Sequence, residues 1–144
     1  MLPILKLILA VVLGLVLGSV MNMALIMVSG HVIPPPSGAD MTTAEGIRAA
    51  LPQLQPRHFL FPFLAHALGA LVGAFIAAKL ASNYKLFAAL IVGACFFVGG
   101  IFAARMIPAP TWFIALDLIG AYFPFAWFGY VLARPGTQKP VRVA

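Results

Sequence analysis

The sequence predicts an all-α integral membrane protein, four transmembrane helices in an up-down bundle, forming a single domain over residues 1–144. Three observations predict it. Of the 144 residues, 63% are hydrophobic and 8% charged, whereas a soluble domain carries about 25% charged residues. A chain so poor in charge cannot cover a core with polar surface, so lipid must be its solvent. Four apolar runs each come close to the ~20 residues that a helix needs to cross a bilayer. The runs are continuous and do not alternate, which excludes β-barrel strands.

The first run covers about residues 4–28. Lys6 can snorkel to the headgroups. The run is longer than a signal-peptide core and has no convincing Ala-x-Ala-type site after it, so it reads as a retained signal anchor. The other spans cover about residues 59–80, 86–104 and 111–133. Between the second and third, Ala81–Lys85 is a tight turn, which makes them a hairpin. Between the third and fourth, Arg105–Pro110 is equally short, and Pro108 and Pro110 stop one helix before the next begins.

The one long connection, residues 29–58, opens with Gly30 and the stiff run Pro34, Pro35, Pro36. Thr42-Thr43-Ala44-Glu45 then has capping-box spacing, with Ile47, Ala50, Leu51 and Leu54 behind it. This predicts a short amphipathic helix ending near Pro52 and lying in the membrane interface.

Basic residues set the orientation. Lys6, Lys79, Lys85, Arg134, Lys139 and Arg142 fall on one side, and Arg48, Arg57 and Arg105 on the other, a six-to-three division. The positive-inside rule then puts both termini and the tail 134–144 in the cytoplasm and the long loop outside. Trp112 at one end of the fourth span, and Trp127 and Tyr130 at the other, fit interfacial aromatic belts. The formal charge of +6 is spread over loops and tail. It reads as orientation and contact with membrane lipids, not as a nucleic-acid surface.

Polar residues within spans are costly and therefore informative. Asn22, His66 and Asp117 each lie about 9–11 Å below the outer end of their span, at 1.5 Å per residue. Small residues share their faces: Gly18 and Ser19 with Asn22, Gly69 and Gly73 with His66, Gly120 and Ala121 with Asp117. Small residues let membrane helices approach closely. The expectation is an intramembrane polar cluster of Asn22, His66 and Asp117, with Arg105 long enough to reach Asp117 from the end of the third span. The strictest packing pattern is Ala65, Gly69, Gly73 and Ala77, four apart on the second span. Pro124 leaves the Gly120 carbonyl without its helical partner and should kink the fourth span.

No Gly-rich phosphate loop, nucleophile arrangement or carboxylate pair is present in the sequence, and no catalytic residue is assigned. His58 and His66, about 11 Å apart along a helix, are too far apart to share a metal. Neither metal nor cofactor is expected. Cys95, the single cysteine, excludes an internal disulfide and reads as a small buried thiol.

Two stretches, His58-Phe-Leu-Phe-Pro-Phe-Leu-Ala-His66-Ala-Leu-Gly69 and Ile107-Pro-Ala-Pro-Thr-Trp112 continuing through Asp117, together with Pro34–Pro36, resemble a group of small four-span bacterial membrane proteins of unknown function. The resemblance spans most of the chain. It implies the same topology and a bacterial inner membrane, and it brings no activity, substrate or catalytic residue. Membrane-bound glutathione-dependent enzymes have a similar size, but the arginine-rich helix motifs expected of them are absent.

Three roles follow, in order. The first is a non-enzymatic scaffold or accessory subunit that packs through its small-residue faces, as a homo-oligomer or within a larger membrane complex. The second is a small oligomeric transporter or channel subunit using an Asp117/His66 layer. The third is an enzyme acting on a quinone or other lipid-linked substrate. A pair sealed by packing favours the first, a layer that admits water the second, and an elongated apolar cleft ending at His66 the third.

Overall fold

The computed structural model describes residues 2–134. Of the predicted tail, everything beyond Arg134 lies outside the described residues. Six α-helices follow in order: α1 (Leu2–Val32), α2 (Ala44–Ala50), α3 (Leu60–Leu80), α4 (Lys85–Met106), α5 (Thr111–Gly120) and α6 (Phe123–Ala133). Two short 3-10 turns, Leu51–Gln53 and Pro56–Phe59, join α2 to α3. No strand occurs among the described residues. Four helical stretches are long and apolar enough to cross a membrane: α1, the run from Pro56 through α3, α4, and α5 with α6 together. By length and composition this is a multi-pass membrane protein.

Helix α1 runs four residues past the predicted end at 28. Gly30 opposes it by only about 1 kcal/mol, and the residue ahead of Pro34 is the first that proline disfavours in a helix. The Ser29 hydroxyl donates to the Ile26 carbonyl at 2.7 Å. At about 46 Å, α1 exceeds the ~30 Å hydrocarbon layer. Between α3 and α4 the chain reverses through Tyr84, whose φ of 55° makes it the non-glycine residue in the left-handed region among those described.

The loop helix α2 forms at the predicted place with a different cap. Thr43, not Thr42, is the N-cap, and its hydroxyl accepts from the Gly46 N–H at 3.0 Å. Asp40 organises the approach: its carboxylate accepts from the Thr42 N–H at 2.8 Å and from the Thr42 and Thr43 hydroxyls at 2.6 and 2.9 Å. These bonds, led by the Thr42 hydroxyl, hold the Asp40 carboxyl below its ordinary pKa.

Helix α3 is the centre of the fold. It packs against α1, α4 and α6, and α4 also touches α1 and α6. The interior is built of small residues: Ala65, Ala67, Ala70, Ala74, Ala77 and Ala78 of α3 are fully buried, and Ala88, Ala89 and Val92 of α4 and Ala126 of α6 close on them. The large apolar side chains point outward, among them Ile4, Val16 and Met27 on α1 and Ile119 and Leu132 on the last span. A soluble core would be reversed. In lipid, a leucine gains little from leaving a hydrocarbon solvent, so association depends on close backbone contact and van der Waals packing.

That contact is tightest between α1 and α3. A Cβ added to Gly14 would lie 2.5 Å from the Gly73 carbonyl oxygen, and one added to Gly18 2.6 Å from that of Gly69. Reciprocally, a Cβ on Gly73 would lie 2.8 Å from the Gly14 carbonyl. Two glycine pairs spaced four apart therefore interlock, one from each helix. On the other side of α3, Gly129 of α6 sits directly against the Leu71 carbonyl. Ala65 and Ala77 are buried along α3 as well, whereas Gly120 has room: a Cβ there would make only ordinary contact with the Phe63 ring at 3.5 Å.

A further sequence expectation is corrected. Cys95 is exposed, not buried. The inner face of α4 carries Ala88, Ala89, Val92, Gly93 and Gly100, and position 95 points away from that face.

Candidate functional site

Helix α5 begins at Thr111 directly behind Pro110, and its buried face carries Phe113 and Asp117, four residues apart. Asp117 is 4% exposed and is the buried charged residue of the fold. The span then breaks. Helix α5 ends at Gly120, Ala121 and Tyr122 form a turn, and α6 starts at Phe123 with Pro124 in its first turn. Proline is tolerated there because the first-turn N–H groups have no helical partner in any case. The expected kink is thus an interruption, and it has a consequence for Tyr122. In a continuous helix, residues five apart differ by about 140° in direction. The turn instead brings the Tyr122 ring back over Asp117.

His66, one turn and a half into α3, completes the cluster. Its Nδ1 lies 2.9 Å from Asp117 Oδ1 and 2.8 Å from Oδ2. The Tyr122 hydroxyl donates to Asp117 Oδ2 at 2.8 Å and lies 3.0 Å from His66 Nδ1. The imidazole and phenol rings stack with centroids 5.7 Å apart. Tyr122 is 1% exposed. Its ring fits because α4 has glycine opposite: a Cβ on Gly100 would collide with the Tyr122 hydroxyl and ring. Burial of the aspartate is compensated by these bonds, and no buried side-chain nitrogen or oxygen is left without a partner among the described residues.

The other sequence candidates lie apart from this cluster. Asn22 packs against Gly69 in the α1–α3 contact, its Cβ 3.1 Å from where a Gly69 Cβ would be. It shares no hydrogen bond with His66 or Asp117 among those of the described residues. The face of α3 toward α1 is that of Ala65, Gly69 and Gly73, and His66 is about 100° round from Ala65, toward α5. Arg105 is exposed on the last turn of α4. The Asp117 carboxylate meets His66 Nδ1 at 2.8 Å, and no contact joins it to Arg105 among the described residues. Tyr122 is not among the residues that the sequence singles out, because a neutral aromatic in a span looks like packing. Its signal was its place, two residues before Pro124 and five after Asp117.

The cluster is not sealed. Asp117 and His66 form one wall of a cavity of about 350 Å³. The cavity lies between the end of α1, the start of α3, the end of α4 and the start of α5. Phe59, Phe61 and Phe113 line it from the bundle, and Gly100, Ala103 and Ala104 make a floor of small residues on α4. The long loop roofs it with Met41, Ile47 of α2 and Leu54. Apart from the His66–Asp117 pair its polar lining is sparse. Ser29 spends its hydroxyl on the Ile26 carbonyl, and His58 Nδ1 accepts from the Gln55 N–H at 2.8 Å. An apolar pocket of this size with a few convergent polar groups has the character of a small-molecule site. Among the described residues no three His, Cys, Asp or Glu side chains converge as a metal site would require.

No family model, curated protein or solved structure matches this chain.

Proposed function

We propose that this protein binds a small lipid-soluble molecule with a polar head, the head at the His66–Asp117 pair and the apolar body along Phe59, Phe113 and the loop residues. The observation that carries this reading is the apolar cavity whose lining includes that pair. A scaffold, the first role suggested by the sequence, needs no opening beside its most costly residues. A water-filled ion path would need polar walls, and the lining here is mainly carbon. The cavity favours the lipid-linked role that stood third.

The Lys and Arg division supports an up-down bundle with both termini in the cytoplasm. The composition supports a membrane location, and the resemblance a bacterial inner membrane. In that orientation the cavity lies in the outer half of the bilayer beneath the external loop, where a lipophile can enter from the lipid.

The test uses para-hexylphenol as probe and calorimetry of the protein in lipid nanodiscs, with empty nanodiscs as blank. Saturable binding is expected, and Ala104→Phe, which fills the floor of the cavity, should abolish it. Binding that is absent, or unaffected by Ala104→Phe, would rule the reading out.

A further inference from the structure

We propose that the ligand's polar head is a hydroxyl that donates its hydrogen bond to His66 Nε2, with Asp117 and Tyr122 as positioning residues that fix the ring for this task. The inference rests on the cavity reading and narrows it to a class: lipophilic phenols, hydroquinones or alcohols, as opposed to ketones, quinones or ethers.

The argument is one of proton placement. His66 Nδ1 faces both oxygens of a carboxylate at 2.8 and 2.9 Å. A carboxylate accepts, so Nδ1 must donate. In its neutral form the imidazole has one proton, and with that proton on Nδ1, Nε2 is left with a lone pair. Tyr122 strengthens the assignment, because its hydroxyl donates to the same carboxylate at 2.8 Å and so occupies Oδ2 as acceptor from a second direction. A flipped ring or a shifted proton would cost the Asp117 contact.

Nε2 has no hydrogen-bond partner among the described residues, all three contacts of the ring being made through Nδ1. The side chain is 23% exposed, and the residue lines the cavity. Elsewhere in the lining, Phe59, Phe113, Ala103 and Ile114 have no side-chain donor to offer, and the other ring N–H is that of His58, whose Nδ1 accepts from the Gln55 N–H. A ligand that brings a donor gains a hydrogen bond in a low-dielectric site. A ligand that brings only an acceptor sets lone pair against lone pair, which in a buried site is strongly disfavoured.

Three probes with the same hexyl tail separate the possibilities: para-hexylphenol, which can donate; para-hexylanisole, its methyl ether; and para-hexylacetophenone, which only accepts. Decanol and decyl methyl ether form a second pair, aliphatic where the first is aromatic. Calorimetry in nanodiscs should show the phenol bound roughly tenfold or more tightly than the anisole and the acetophenone. If decanol exceeds its ether by a similar factor, the hydroxyl and not the aromatic ring is what the site reads; if only the phenol shows the preference, the class is phenolic. In Asp117→Asn the amide N–H can face Nδ1 and move the ring proton to Nε2, so the phenol's advantage over the acetophenone should shrink by about tenfold or invert. Phenol and anisole bound equally, both lost in Ala104→Phe, would overturn the hydroxyl inference and leave the cavity reading standing. So would tighter binding of the acetophenone to the unaltered protein, as an Nε2–H would give. An unchanged preference in Asp117→Asn would overturn the positioning role. Absence of binding by every probe would overturn both the inference and the reading beneath it.

Discussion

Tyr122 donates its hydroxyl to Asp117 Oδ2 at 2.8 Å across a break in the last span, and the pair is held together by a residue on another helix. That residue is Gly100. Its missing side chain leaves the space that the Tyr122 hydroxyl and ring occupy, so α4 decides whether the carboxylate of α5 has its second donor.

Gly100→Ala should therefore displace Tyr122 and lower the thermal stability of the protein in detergent by about 1–3 kcal/mol, the range for overpacking or a lost buried hydrogen bond. The neighbouring Gly99→Ala is the control. Nothing lies within 4 Å of a Cβ there, and alanine is the better helix former by about 1 kcal/mol, so it should be neutral or mildly stabilising. Equal losses in the two variants would remove the argument.

The α1–α3 contact makes a second demand. Gly73→Leu should abolish folding or assembly, since even a Cβ would press on the Gly14 carbonyl and lie 3.0 Å from Val92 Cγ1. Gly14→Ala should already be damaging, because the obstruction is backbone and cannot rotate away. Val72→Leu, on a partly exposed position, and Gly30→Ala, with open space around it, should be tolerated. The measurement is the folded fraction recovered by size-exclusion chromatography and its melting temperature.

Much of this fold is legible in the sequence, and the reasons differ by element. The spans are fixed by composition and length. The stripe Ala65, Gly69, Gly73, Ala77 announces a close helix contact, but a single sequence does not say which helix it meets, and Gly14 became significant only beside Gly73. For the site, depth along each span selected His66 and Asp117, which meet, and also Asn22, which does not, because equal depth leaves rotation about the helix axis open. Tyr122 depends on the turn at Ala121, and the presence of Pro124 alone does not distinguish a kink from a break. The cavity is invisible to sequence patterns, since its lining comes from two stretches, residues 26–66 and 100–117, that meet only in the fold.

The loop has a pH signature. Asp40 is held below the ordinary aspartate pKa of 3.8 by bonds from Thr42 and Thr43. A lowered folded pKa means that this contribution to loop order is present above the ordinary value and is lost as the pH falls through the lowered one. Amide protection of Ile47 and Arg48 in α2 should thus hold down to pH 3.8 and decline below it. Asp40→Asn should remove the dependence, and a decline centred well above pH 3.8 would contradict the assignment.

Orientation is tested by cysteine labelling. In a Cys95→Ala background, Ser37→Cys should react with an impermeant thiol reagent added to intact spheroplasts, and Thr137→Cys only after lysis. The reverse pattern would turn the molecule over and place the cavity in the cytoplasmic half of the membrane.

The account stands most directly on what occupies the space beside His66. A structure of the protein in lipid with para-iodophenol, whose iodine is located by anomalous scattering, measures this in one experiment. The predicted result is an iodine peak inside the cavity bounded by Phe59, Ala104 and Phe113, with the phenol oxygen within hydrogen-bond distance of His66 Nε2. Iodine found only on the lipid-facing surface, with His66 and Asp117 closed over by side chains, would contradict it.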